Sequence, residues 1–271
     1  MTSVSRSAVV TGAASGIGRA IAERLAADGW GVACLDRDKN GLSSLTDALT
    51  ANGQQAVAVV GDVTEPEAHR EALDAAAGLA RVDAWIGVAG LADGELLTDL
   101  DEGHVRRLVD INQLGMLWGT AEALRRWRAE DRTGVVVLVS SVHARHAASN
   151  TAVYEMTKAA LEALVRSVGV TYGPYGIRAV AVAPGGVLTP ALERSFATAA
   201  DPVAARRRLE SQTPANRLAL PEEIAAAVAF VASDEAQYIS GTVLTIDGGM
   251  SAVLLASACD PKAVRRPGAG K

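Results

Sequence analysis

Ala8-Val9-Val10-Thr11-Gly12-Ala13-Ala14-Ser15-Gly16-Ile17-Gly18 joins a short apolar run to an amphipathic stretch through three glycines. An apolar run of strand length, then glycines, then helical periodicity predicts a strand, a tight turn and a helix. Gly12, Gly16 and Gly18 let the backbone approach a ligand closely, and the N–H groups that open the helix have no intrahelical partner. Such a turn suits a pyrophosphate, although glycines at strand-to-helix turns can equally serve packing alone. The spacing G-x-x-x-G-x-G differs from G-x-G-x-x-G, and no G-x-x-x-x-G-K-[ST] is present to indicate an ATPase.

Outward from this turn, short β-branched runs alternate with amphipathic, alanine-rich stretches, the pattern of repeated βαβ units. Strands are predicted at 8–11, 31–36, 56–60, 84–88, 134–140, 178–183 and 243–246, and helices include 17–28, 102–130, 153–172 and 221–232. The expected fold is α/β and Rossmann-like: a doubly wound, seven-stranded parallel sheet with helices on both faces. Residues 1–250 are read as one dinucleotide-binding and catalytic domain, and 251–271 as an extension, either mobile or covering a subunit interface. Residues 190–214 contain no strand and follow a strand end, so they are expected to form a substrate lid or an ordinary helical insertion.

Composition excludes several classes. Of 271 residues 49% are apolar, yet the apolar runs are short and none approaches the roughly 18 residues that span a bilayer. No membrane association is expected. The formal charge of −5 argues against a nucleic-acid partner, which would need clustered positive charge. Arg206-Arg207-Arg208 is read as a solvated helix face, and the basic residues of the last ten positions as a mobile terminus. The first seven residues carry no signal-peptide pattern, and Cys34 and Cys259 have neither metal-ligand nor disulfide-framework spacing, so a reducing cytoplasm is expected.

Tyr154-Glu155-Met156-Thr157-Lys158 carries the chemistry. Residues four apart share a helix face, so the ammonium of Lys158 is expected to favour the ionised phenol of Tyr154 and lower its pKa. With only four tyrosines in the chain, chance would place a Y-x-x-x-K about 0.06 times. Ser141, thirteen residues before Tyr154, follows a strand, where its hydroxyl could stabilise charge developing on a substrate oxygen; alternation along the strand points Ser140 elsewhere. Asp36 closes the second strand, where a carboxylate can accept from adenosine ribose hydroxyls and repel a 2′-phosphate, which favours NAD; Arg37 beside it could partly compensate such a phosphate. Asp62 could meet the adenine edge or cap the following helix. Gly12, Asp36, Asp62, Gly90, Ser141 and Pro184 all fall at carboxyl ends of predicted strands, where open α/β sheets bind ligands.

These residues resemble the short-chain dehydrogenase/reductase family, in its branch of about 250-residue single-domain enzymes. The likeness rests on Thr11 to Gly18, Asp62-Val63, Ala89-Gly90, Asn112, Ser141, Tyr154 with Lys158, Pro184-Gly185 with Thr189, and Ser240-Gly241-Thr242 to Asp247-Gly248-Gly249. It implies a catalytic set of Asn112, Ser141, Tyr154 and Lys158. It also implies cofactor contacts from Gly12, Ser15, Gly16, Ile17, Gly18, Asp36, Arg37, Asp62, Val63, Ala89, Gly90, Tyr154, Lys158, Pro184, Gly185, Val187 and Thr189. Tyr154 would carry the proton, and Asn112 would hold a water linking Lys158 to solvent. Val88 stands where the family usually has an asparagine that braces the strand and the adenosine pocket, which bears on cofactor affinity.

The expected activity is NAD-dependent interconversion of a secondary alcohol, such as a sugar, polyol or cyclic alcohol, with its ketone. An NADPH-dependent ketone or 3-oxoacyl-thioester reductase and a non-catalytic dinucleotide-binding regulator stand as alternatives. The resemblance further implies a homotetramer. No metal is expected; His143 and His146 are read as loop residues near an apolar-walled pocket that includes Val142, Leu188, Leu192 and Phe196.

Overall fold

The computed structural model describes residues 4–253. Seven strands, β1 (Arg6–Thr11), β2 (Gly31–Asp36), β3 (Ala56–Val60), β4 (Arg81–Gly87), β5 (Gly134–Val139), β6 (Ile177–Pro184) and β7 (Thr242–Ile246), pair in parallel in the order β3-β2-β1-β4-β5-β6-β7. The Val/Ile/Ala-rich character of the five inner strands follows from burial on both faces, while the edge strands β3 and β7 are partly exposed. Successive strands move outward one way from β1 to β3 and the other way from β4 to β7, so the chain reverses between β1 and β4. A crevice opens at the carboxyl ends of strands at such a switch point.

Side-chain alternation divides the core. Ala8 and Val10 of β1 face Ile21 and Leu25 of α1 (Gly16–Ala27), Leu42 and Leu45 of α2 (Lys39–Ala51), and Ile224 and Val228 of α9 (Pro221–Ala232). Val9 faces the opposite layer, formed by α3 (Pro66–Leu79), α5 (Gly115–Ala129) and α6 (Ala152–Tyr172), with Leu73, Met116, Trp127, Leu161 and Val165. Each fully buried aliphatic side chain of this kind is worth about 1.5–3 kcal/mol. The two layers therefore hold the strand ends in a fixed relation.

Two elements depart from the sequence expectation by more than two residues. β4 begins at Arg81 rather than 84, because its first residues are polar: Asp83 pairs with Arg81 at 2.6 Å and with Arg132 at 3.0 Å, which conceals the strand pattern. The helix expected over 102–130 is α4 (Glu102–Val109) and α5 joined by a wider π-type turn, Asp110–Leu114. Residues 190–214 form the helical insertion: α7 (Pro190–Ala197) and α8 (Pro202–Glu210). Both begin with proline, whose absent N–H is harmless in the first turn, and are capped by Thr189 and Asp201. Residues 254–271, with Cys259 and most of the expected extension, lie outside the described residues.

Candidate active site

The turn after β1 is built by close approach. Gly12 has φ +66°, and a Cβ there would lie 2.9 Å from the Ala89 Cα; a Cβ on Gly18 would collide with the Gly12 carbonyl. Ser15 occupies the N-cap of α1 but makes no side-chain capping bond, so its hydroxyl leaves the first-turn N–H groups around Gly16, Ile17 and Gly18 unsatisfied. The Thr11 hydroxyl accepts from the N–H groups of Val88 at 2.9 Å and Ala89 at 3.1 Å, fastening the end of β4 to the turn. Val88 takes part through its backbone, while its side chain packs into the α1/α2/α9 layer. Bracing at this point thus comes from a hydroxyl on β1, which the sequence reading had not assigned.

Asp36 is held by two backbone donors, Ala14 N–H on Oδ2 and Asp38 N–H on Oδ1, each at 3.0 Å. A carboxylate has about four acceptor positions, so capacity for further donors remains. Arg37 beside it is exposed. Asp62 closes a local turn, accepting from the N–H and hydroxyl of Thr64 at 2.9 Å each; the N-cap position of α3 is Glu65, so the expected capping alternative is not formed. The Val63 side chain is buried, and its carbonyl lies 2.9 Å from His69 Nε2.

Tyr154 and Lys158 lie one turn apart in α6. Lys158 is buried, and its Nζ donates to the Val139 carbonyl at 2.9 Å, 5.7 Å from the centre of the Tyr154 ring. Burial pulls the lysine pKa down from 10.5 to about 8. Tyr154 moves oppositely: burial raises its pKa, and a hydrogen bond with the Ser141 hydroxyl acts against that rise. The expected depression by Lys158 is therefore corrected. Desolvation outweighs the favourable contacts of the phenolate, and the opposing contact comes from Ser141.

Ser140 and Ser141 have separate partners: Ser140 Oγ donates to the Lys158 carbonyl at 3.1 Å, and Ser141 Oγ accepts from His143 N–H at 3.1 Å. Asn112, in the π-type turn, has its amide committed to protein. Oδ1 accepts from Leu91 N–H and Nδ2 donates to the Leu91 carbonyl, each at 2.8 Å, and Nδ2 also reaches Thr157 Oγ1 at 3.3 Å. Gly90 fits between Asn112 and Lys158: a Cβ there would lie 3.2 Å from Asn112 Oδ1 and 3.4 Å from Lys158 Nζ. Gly12 against Ala89, and Gly90 against Lys158, bring the glycine turn and the lysine together.

On the β6 side, Gly185 N–H follows Pro184 and donates to the Ile246 carbonyl at 3.0 Å. Val187 is buried, and a Cβ on Gly16 would touch the Thr189 methyl at 3.4 Å. The Thr189 hydroxyl already accepts from Leu192 N–H. His143 stands edge-to-face with Tyr154, ring centres 6.2 Å apart, and its Nδ1 lies 3.1 Å from the His146 carbonyl, which an N–H at that atom satisfies. A groove of about 430 Å³ between α7 and α8, with Phe196 and Val203 in its lining, contains none of Gly12, Ser141, Tyr154 or Lys158. Among the described residues no group of three or more His, Cys, Asp and Glu could hold a metal ion.

Sequence reading did not anticipate the pair of Arg145 and Glu162. Its trace was spacing: Arg145 is four residues after Ser141, and Glu162 four after Lys158.

A glycine turn at the switch point of a doubly wound sheet, with a buried lysine and a tyrosine beside it, defines a dinucleotide-binding α/β protein. A family model described as enoyl-(acyl carrier protein) reductase matches residues 12–251. The chain belongs to the short-chain dehydrogenase/reductase family, whose members bind nicotinamide dinucleotides, and is an oxidoreductase. It is 39% identical over 250 residues to cis-4-hydroxycyclohexanecarboxylate dehydrogenase of Sinomonas cyclohexanicum, covering 92% of this chain and 97% of that one. With 3beta-hydroxysteroid dehydrogenase 1 of Eggerthella lenta it shares 34% identity, over 91% of this chain and 94% of the relative. The crystal structure of a variant actinorhodin polyketide ketoreductase with NADPH superposes with a TM-score of 0.86 at 26% identity, covering 92% of this chain and 98% of that one.

Proposed function

We propose that the protein interconverts a secondary alcohol and its ketone with NAD, Tyr154 serving as general acid and base. The observation that carries this reading is the meeting of Tyr154, its hydrogen-bonded Ser141 and the buried Lys158 beside Gly90. The residues fit a dinucleotide: Gly12 and Gly18 let the turn fold tightly against Ala89 and its own backbone, and the start of α1 lacks a side-chain cap. Gly12 and the α1 N–H groups would hold the pyrophosphate, Asp36 the adenosine ribose, and Pro184, Gly185, Val187 and Thr189 would border the nicotinamide. The bound cofactor supplies the hydride acceptor or donor.

The rest belongs to the chain. Ser141 orients the substrate oxygen and stabilises charge on it. In reduction, Tyr154 gives that oxygen its proton; in oxidation it takes the proton back. The raised pKa keeps Tyr154 protonated at neutral pH, ready for the donating role. Asn112 and Gly90 fix the surroundings of Lys158, whose amine faces the Val139 carbonyl. A cyclic secondary alcohol is the first substrate class to try, because two relatives are named for a hydroxycyclohexane acid and a hydroxysteroid.

The exposed Arg37 beside Asp36 favours one second reading, an NADPH-dependent ketone reductase. Comparing turnover with NADH and NADPH decides between them, and preference for NADPH overturns the reading of Asp36. The regulator alternative has no support in an oxidoreductase family whose compared relatives are named dehydrogenases and reductases. A homotetramer is part of this proposal, on family grounds, and light scattering showing a monomer would reject it. Purified protein given NAD and a panel of cyclic alcohols, sugars and polyols is expected to generate reduced-nicotinamide absorbance that Tyr154→Phe nearly abolishes. Equal rates in the two proteins refute the assignment.

A further inference from the structure

Three contacts tie the segment after β5 to α6. Lys158 Nζ donates to the Val139 carbonyl at 2.9 Å, Ser140 Oγ donates to the Lys158 carbonyl at 3.1 Å, and Arg145 Nε donates to Glu162 Oε2 at 2.7 Å. The first two fix the chain just before Ser141. The third fixes it just after Ser141, and further along Ala148 N–H donates to Glu155 Oε1 at 2.7 Å. Between them the segment is a compact turn: His143 N–H donates to Ser141 Oγ, Ala144 N–H to the Ser141 carbonyl, and both Arg145 and His146 N–H to the Val142 carbonyl. Such a turn moves as one piece, so the Arg145 anchor acts directly on where Ser141 and His143 sit.

The anchor is unlike an ordinary surface ion pair. The Glu162 side chain is 5% exposed, against 53% for Arg145, and its Oε1 is buried with no donor among the described residues. A pair between two solvated side chains contributes little and wanders. A buried carboxylate whose compensation comes from one guanidinium holds that guanidinium in place, because separation leaves an uncompensated charge inside the protein. Glu162 also lies one turn beyond Lys158 and two beyond Tyr154 on α6, so the anchor is referenced to the helix that carries both.

We propose that Arg145 and Glu162 are positioning residues that hold the Ser141–His143 turn in register with Tyr154. Neither touches substrate; they act through Ser141. The inference rests on the proposed role of Ser141 and Tyr154 in alcohol–ketone interconversion.

The test uses the full chain as Arg145→Ala, Arg145→Lys and the double variant Arg145→Ala/Glu162→Gln, with two readouts. In amide hydrogen exchange, peptides covering 141–146 should exchange at least about tenfold faster in Arg145→Ala, while β2 peptides stay as in wild type. In steady-state turnover, kcat should fall about 10- to 100-fold with the KM for dinucleotide within about twofold, as expected for misplacement of one group by about 1 Å. Arg145→Lys should recover most of kcat. The double variant removes the unpaired buried charge, so it should regain thermal stability without regaining kcat. Wild-type exchange in Arg145→Ala, or full kcat in the double variant, overturns the proposal. If wild-type protein turns over no alcohol or ketone, the functional reading fails by itself, while hydrogen exchange still judges the tether.

Discussion

Replacing Lys158 by methionine should stabilise the protein near neutral pH and abolish turnover. The lysine is buried, and its pKa falls from 10.5 to about 8 for that reason. At about 1.36 kcal/mol per pH unit, this difference amounts to about 3 kcal/mol of burial cost while the amine is charged. Methionine keeps the apolar stem but leaves the Val139 carbonyl without the Nζ donor, a loss of about 1–3 kcal/mol. The net gain at pH 7 is then between about 0 and 2 kcal/mol. The pH dependence is sharper than that sum. The folded protein binds fewer protons than the unfolded chain between pH 8 and 10.5, so wild-type stability from this group rises with pH across that window. By pH 9.5 the wild-type cost falls to about 1 kcal/mol, and the advantage of Lys158→Met shrinks by about 2 kcal/mol. Urea unfolding of both proteins at matched concentration, at pH 7 and pH 9.5, measures this directly. A stability difference that stays constant between the two pH values refutes the argument that Lys158 is held at a desolvation cost.

Thr11→Val removes the acceptor for two N–H groups, Val88 and Ala89, and should cost about 2 kcal/mol and weaken dinucleotide binding; an unchanged melting temperature would mean that those donors find other partners. Asp36→Asn should shift the ratio of NADH to NADPH affinity toward NADPH by about tenfold, or about 1.4 kcal/mol, read by fluorescence titration; an unmoved ratio would show that the carboxylate does not face the ribose. Because burial raises the Tyr154 pKa, ketone reduction should proceed well at neutral pH and decline toward high pH as the phenol loses its proton, whereas alcohol oxidation should rise. Parallel profiles in the two directions would remove Tyr154 from proton transfer.

Much of the scaffold was legible. β2, β3 and α9 have the bounds expected from apolar runs framed by turn residues; for β2 and α9 the reason is burial, which writes itself directly into composition, and for the edge strand β3 it is the β-branched run itself. The beginning of β4 was hidden by Arg81 and Asp83, whose ion pair follows from tertiary position. The interruption at Asp110–Leu114 was hidden for a similar reason: Asn112 is committed to Leu91, 21 residues away, which no periodicity signals.

The site was legible as a set of residues, and less so as a set of energies. One helical turn between Tyr154 and Lys158 gives proximity, but not the depth at which both lie. Depth reverses the expected direction for the tyrosine, because desolvation acts on each residue's charged form: it raises the phenol and lowers the amine. The same cause carries the two pKa values past each other, leaving the amine below the phenol, whereas proximity alone would have raised the amine and lowered the phenol. A proton carrier that remains protonated and a cation that readily loses its proton are both sensitive to new charge or new donors brought into the cleft. Ligand binding therefore acts on both groups through charge and donors and also through a variable that spacing cannot encode, their exposure to water.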